Sequence, residues 1–175
     1  PTANILASGG TGRAGASNSN GGAGTVYLKD AAQANPVLKI DNGGLATTNT
    51  TSIPGGAYKD VIVAGGALVS TTAGYTTESD LVMSGTTLTV TGDLSLPANL
   101  ALTNSTLIVL GTLSVPGTIT MSGSTLTAKH SVTASGAISL TNASVLTHPV
   151  STTTEIITLA VSAPSISIDA TSKID

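Results

Sequence analysis

From Leu81 onward the sequence returns to the same pattern every nineteen residues, and no other feature restricts its fold so tightly. Leu81, Leu100, Ile119, Ile138 and Ile157 form one apolar column, and Met83, Leu102, Met121, Leu140 and Leu159 a second. Leu88, Leu107, Leu126 and Val145 form a third, with Val90, Val109 and Ala128 beside it until Thr147 closes that column. Leu94, Leu113 and Val132 pair with Leu96, Val115 and Ala134. Within each pair the spacing is two, which buries one face of a short strand and turns the intervening Ser or Thr outward. Three such pairs per row predict an all-β chain, a parallel β-helix (β-solenoid) with rungs of about 19 residues and three strands, successive rungs lying about 4.8 Å apart. An antiparallel sandwich has no need of one fixed period. A right-handed coil is expected because parallel crossovers almost always take that hand, although pairs spaced seven, six and six residues also approach the hexapeptide pattern of left-handed solenoids.

Corners between the strands carry residues that turn tightly. Gly85, Asn104, Gly123 and Asn142 share one column, Gly92 and Gly111 a second, and Pro97 and Pro116 a third. In the first, Gly and then Asn are the residues that best tolerate a left-handed backbone. Upstream, "DVIVAGGALVS" (60–70) matches "DLVMSGTTLTV" (80–90) at an offset of twenty, and "TVYLKD" (25–30) and "VLKIDNGG" (37–44) are expected to form wider, less regular rungs. The stretch "ASGGTGRAGASNSNGGAG" (7–24) has almost nothing to bury, so a mobile loop or linker is expected there. It lacks the Lys-Ser or Lys-Thr of a phosphate loop. The division is therefore residues 1–59, a Gly-rich loop plus irregular first rungs, and residues 60–175, regular rungs of the same single domain.

Composition narrows the partners. The 175 residues include no Phe, Trp or Cys, so the core must be Leu, Ile, Val and Ala, and disulfides and thiolate metal sites are excluded. Charged residues are 9% of the chain, against roughly 25% in an ordinary domain. Six Lys and Arg and a net charge of -3 give no basic patch for phosphate contacts, which sets nucleic acid aside. No apolar run is long enough for a membrane span, and no charged-then-apolar leader opens the chain. Starting at Pro1 without Met, it is expected to be a processed or excised piece of something longer.

The nineteen-residue rows, with aliphatic pairs, Gly or Asn corners and outward Ser and Thr, resemble the repeats of filamentous-haemagglutinin-type exported proteins and, more loosely, autotransporter passengers. "GGAGTVYLKDAAQANPVLKIDNGG" (21–44) is similar to a Gly-rich block of very large secreted bacterial surface proteins. Both resemblances imply a secreted adhesin or surface fibre, extracellular or on the bacterial cell surface, and neither brings a catalytic motif.

Chemistry must then be sought in the residues. Parallel β-helices also house polysaccharide lyases and hydrolases, which work through clustered carboxylates, and such work needs two carboxyls about 5–10 Å apart in different environments. The nine here are Asp30, Asp41, Asp60, Glu78, Asp80, Asp93, Glu155, Asp169 and Asp175, and no two share a strand at a spacing of two. Asp60, Asp80 and Asn99 form a corner column with Glu78 beside it, which makes Asp60 and Asp80 a weak cation candidate of oxygen ligands; the competing reading is two turn-favouring Asp on a solvated corner. Arg13, the one Arg, lies in the Gly-rich loop. His130 and His148 lie one position out of register with no acid in the neighbouring columns, so a metal pair or general base lacks its third partner. No catalytic residue and no cofactor is expected, and the chain reads as a non-enzyme.

Binding surfaces are thinly marked. Tyr27, Tyr58 and Tyr75 lie upstream of the regular coil, so a conventional aromatic sugar platform is not expected, although host or cell-surface glycans stay among the candidate partners. Thr87, Thr106, Thr125 and Ser144 make an outward column of the kind that organises water in ice-binding solenoids, but its partner column reads Thr89, Ile108, Thr127 and Leu146. Asn49, Asn104 and Asn142 stand in Asn-X-Ser/Thr sequons, which composition alone can generate. Ile108, Leu110 and Leu146, expected to project outward, are candidates for self-association or for packing against other segments of a larger parent protein. The leading function is a non-catalytic structural or adhesive segment; a polysaccharide-active or polysaccharide-binding domain is the alternative, with ice binding behind it.

Overall fold

The computed structural model describes residues 5–12 and 20–175; Arg13 and the middle of the Gly-rich stretch lie outside them. The described chain is a β-solenoid of about six turns with no helix. Each turn visits three parallel faces in order. The first face stacks Leu81–Ser84, Leu100–Thr103, Ile119–Ser122, Ile138–Thr141 and Ile166–Ile168. On the second face lie Thr51–Ile53, Leu68–Thr71, Thr87–Val90, Thr106–Val109, Thr125–Ala128, Val145–Thr147 and Lys173–Ile174. Gly56–Tyr58, Tyr75–Thr77, Leu94–Ser95, Leu113–Val115, Ser131–Ala134 and Ala160–Ser162 make the third. Every pairing within these faces is parallel, and from residue 81 to 141 the register is nineteen residues throughout, as in Leu100↔Ile119, Leu107↔Leu126 and Leu94↔Leu113.

The alternation that marks the sequence is what fills the interior. Leu88, Val90, Leu94, Leu100, Leu107, Val109, Leu113, Ile119, Leu126, Ala128, Val132, Ile138 and Leu140 are all fully buried in one continuous cluster that reaches from Ala23 to Leu146. Each such side chain contributes about 1.5–3 kcal/mol of burial free energy, except the smaller Ala. The outward partners are mostly Ser, Thr and Ala, which cover the strands without charge.

Three departures from a strict nineteen have local causes. Between Ile138–Thr141 and Val145–Thr147 the corner holds two left-handed residues, Asn142 (φ 57°) and Ala143 (φ 60°), where earlier turns hold one, Asn104 (φ 48°) or Gly123 (φ 60°). The extra residue moves the next strand by one position, so that Leu146 pairs with Leu126 and Val145 with Thr125. Leu146, expected to face outward, is therefore fully buried, and Val145 takes the outer position. Gly65 and Gly66 (φ 62° and 75°) do the same nearer the N-terminal end, placing Val69 rather than Leu68 in the core. Beyond residue 147 the excursion 148–159 inserts about half a turn, and Ile166 and Ile168, not Ile157 and Leu159, continue the columns of Ile138 and Leu140.

The N-terminal end is closed differently from a rung. Thr25–Leu28 runs antiparallel to Val37–Asp41, which in turn pairs in parallel with Asp60–Ala64, so the first segment is a lid strand rather than a wide rung. The described flanks of the Gly-rich stretch dock onto this end. The Gly9 amide donates to Asn42 Oδ1 at 2.9 Å, the Gly24 amide to the Ala7 carbonyl at 2.5 Å, and the Thr51 hydroxyl to the Ala23 carbonyl. Asn42 itself is fully buried, and its Nδ2 donates to the Leu45 carbonyl at 2.6 Å.

Candidate functional site

The corner between the first and second faces contains a buried polar row. Ser105, Ser124 and Ser144 are at most 4% exposed, each immediately inside its left-handed corner. The Ser105 amide donates to Ser124 Oγ at 3.1 Å, the Ser124 amide to Ser144 Oγ at 3.2 Å, and the Ser144 amide to Ser172 Oγ at 3.0 Å. Each hydroxyl spends its own proton on a carbonyl of the same corner, Ser105 to Thr103 and Ser124 to Ser122. Buried amides that the strand ladders cannot reach are thereby paired, as burial requires. The recurring small hydroxyl residue after each corner Gly or Asn is the sequence signal of this row, visible as Thr86, Ser105 and Ser124 at a spacing of nineteen. The row begins at Thr86, whose amide donates to Ser105 Oγ at 3.3 Å.

Acidic residues also serve corners. Asp80 Oδ1 accepts from the Asn99 amide at 2.9 Å and Oδ2 from Asn99 Nδ2 at 3.2 Å, while Asn99 Oδ1 accepts from the Thr118 amide at 2.9 Å. Those bonds from Asn99 hold the Asp80 carboxyl below its usual range. Asp93 Oδ1 accepts from the Thr112 amide at 2.7 Å. Asp169 accepts from the Ser172, Asn142 and Thr171 amides, and the bonds from Ser172 and Asn142 hold it well below the usual carboxylate range.

Asp60 and Asp80 do come together, lining a cleft of about 360 Å³ with Val61, Ile62, Ser79 and Val82. Burial raises Asp60 while the Asn99 bonds lower Asp80, so Asp60 takes up a proton before Asp80 as the pH falls. Glu78, also expected beside this column, accepts instead from Asn35 Nδ2 at 2.7 Å. Among the described residues no group of three or more His, Asp or Glu is placed to hold a metal ion.

His130 and His148 stay separate, and the excursion 148–159 supplies an acid that the columns do not. Glu155 reaches Lys129 at 2.8 Å and, with His130, Ile156, Ile157 and Thr158, borders a hollow of about 210 Å³. His148 Nδ1 lies 2.7 Å from the Pro149 carbonyl. A second depression, about 450 Å³, lies on the third face between Gly56, Gly74, Thr76, Asp93 and Ser95. There the backbone passes itself closely: a Cβ at Gly92 would sit 2.6 Å from the Gly74 amide nitrogen.

Aromatic and aliphatic candidates part company. Tyr58 and Tyr75 are buried edge to face, ring centroids 6.2 Å apart, and only Tyr27 is exposed. Tyr58 donates to the Pro54 carbonyl at 2.7 Å, whereas the Tyr75 hydroxyl is buried without a partner among the described residues, and burial pushes its phenol above the ordinary value. Ile108 is half-buried and Leu110 exposed on the second face. Sequon residues Asn49, Asn104 and Asn142 are exposed, with Asn142 Nδ2 donating to Ser122 Oγ at 2.8 Å and Asn49 Nδ2 to the Asn20 carbonyl at 2.8 Å. Comparison with known proteins returns no matching family model, no matching curated protein and no matching solved structure.

Proposed function

We propose that the chain is a non-catalytic structural or adhesive β-solenoid segment of a secreted bacterial surface protein or extracellular fibre. The observation that carries this reading is the single unbroken core from Ala23 to Leu146 under a covering mostly of Ser, Thr and Ala. Such a coil gains stability turn by turn from its neighbours, which suits a spacer whose length matters more than any one site. Its acids support the same reading, since Asp80, Asp93 and Asp169 each accept a backbone amide at a corner. The partners proposed are other segments of a larger parent protein, further copies of the chain, or surface glycans.

A polysaccharide-directed reading has one observation in its favour, the Asp60 and Asp80 cleft with its two unlike carboxyls. The two readings separate on a panel of acidic and neutral polysaccharides incubated with the chain, with and without calcium. The structural reading expects no cleavage and no calcium-dependent retention. Cleavage abolished by Asp60→Asn or Asp80→Asn overturns it.

A further inference from the structure

The second face carries an array that the corrected register makes more regular than the sequence columns suggest. Its outer positions pair in parallel as Leu68, Thr87, Thr106, Thr125 and Val145 in one column, and Ser70, Thr89, Ile108, Thr127 and Thr147 in the other. Thr147 stands where Leu146 was expected, and Val145 where Ser144 was. All ten positions are uncharged and half-buried, and the first column continues at the C-terminal edge of the face with Lys173, paired with Val145. The array repeats about every 4.8 Å from rung to rung and about every 6.6 Å along a strand. Eight of the ten are Thr, Val or Ile, whose branched Cβ restricts χ1 and fixes where each methyl points.

Most hydroxyls of this face are left unbonded by the coil. The side chains of Thr87, Thr89, Thr106, Thr125 and Thr127 have no hydrogen-bond partner among the described residues. On the first face, by contrast, Thr120 donates to the Leu100 carbonyl at 3.5 Å and Thr141 to the Met121 carbonyl at 3.0 Å, which turns their hydroxyls back onto the coil. Five free hydroxyls at regular spacing, interleaved with fixed methyls and with charge only at the C-terminal edge, fit a partner that offers hydrogen-bonding groups on a matching lattice. A second copy of the face would leave many of those hydroxyls buried without partners, at a cost of about 1–3 kcal/mol each. A glycan surface would want aromatic rings, and none stands here.

We infer that the second face binds ice, holding ordered water on the Thr, Val and Ile array of residues 87, 89, 106, 108, 125, 127, 145 and 147. The repeat distances of the array are close to those of the hexagonal ice lattice, and the methyls seat water that the hydroxyls then anchor. This goes beyond the structural reading and does not depend on it, since a spacer can carry an ice-binding face or lack one.

The test grows ice slowly in solutions of the labelled protein and measures both its partition into the crystal and recrystallisation in a frozen film. The wild type is expected to enter the ice and keep grains small. Thr106→Lys with Thr127→Lys should lose both effects, Thr120→Lys on the first face should keep them, and Ile108→Thr should strengthen them. Circular dichroism melts confirm that each variant is folded; should the double variant fail to fold, Thr127→Lys alone replaces it. Exclusion of the wild type from ice overturns the inference, as does equal loss in the second-face and first-face variants. Concentration-dependent association in place of ice entry, abolished by the same lysines, assigns the face to a second copy and equally overturns it.

Discussion

Two corners of the same coil treat chain length in opposite ways. Between the first and second faces the turn is one or two left-handed residues, and immediately inside it lies the buried row of Ser105, Ser124 and Ser144. Between the second and third faces, residues 129–130 make the turn in one rung, and residues 148–159 make it in the next. Both connect strands that stay in register. The difference lies in where the backbone's polar groups go. At the first corner each amide depends on a hydroxyl one rung away, and the corner that lengthens, at Asn142 and Ala143, does so by a single residue with that bond kept. At the second, the excursion turns outward, bonds to itself through Ser151 and Ile157, and touches the coil through the Lys129–Glu155 pair and, at its end, through Leu159 packed against the core. A solenoid corner is free to grow when its amides face water and fixed when they face in.

The largest expected effect tests the residue that the tight corner does admit. Leu146→Asp should cost at least about 3 kcal/mol, because it buries an unpaired carboxylate, whereas Val145→Asp should leave the melt nearly unchanged. The reverse order in thermal melts would return Ala143 to the strand and undo the corner's account. Next comes the row itself. Ser124→Ala orphans the buried Ser105 amide and should cost about 1–3 kcal/mol, while Asp93→Ala, which frees the Thr112 amide at an open corner, should cost about 0.5 kcal/mol. Similar losses in urea unfolding would mean that the two corners do not differ. The smallest effect belongs to excision of residues 150–157 with a short Gly link. The exposed Lys129–Glu155 pair contributes about 0–1 kcal/mol, so the midpoint should move by that much at most; a larger drop would show that the excursion holds the coil together.

How much of this fold the sequence conveys depends on which physical rule a residue obeys. The columns from Leu81 to Leu140 are legible because burial alone selects them, and the parallel β-solenoid is their direct consequence. Leu146 and Val145 exchange faces relative to the columns because both are apolar, and only the backbone at Ala143 decides which turns in. An alanine in left-handed backbone carries no local mark, unlike the Gly and Asn beside it in the column. The change from rung to antiparallel lid at Thr25–Leu28 is hidden for a related reason, since alternation specifies a strand without its direction. The shared cleft of Asp60 and Asp80 is readable from their column, but Glu155 beside Lys129 is not, because its position is set by the path of an excursion that has no period.

The serine row also has a mechanical meaning. Hydrogen bonds between rungs point along the coil axis, so tension applied at the two ends opens rungs one after another instead of sliding strands past each other. In such unzipping each rung yields when its few bonds break together. The amide-to-hydroxyl bonds from Thr86 through Ser105, Ser124 and Ser144 to Ser172 add one bond to every opening step, shielded from the water that would otherwise compete for it. The coil thus has its buried side-chain reinforcement along one edge. The inter-rung bonds at the other corners, from Asn99 to Asp80, Thr118 to Asn99 and Thr112 to Asp93, are exposed. A steady pull should therefore tilt each rung open from those sides, with the serine edge acting as the hinge.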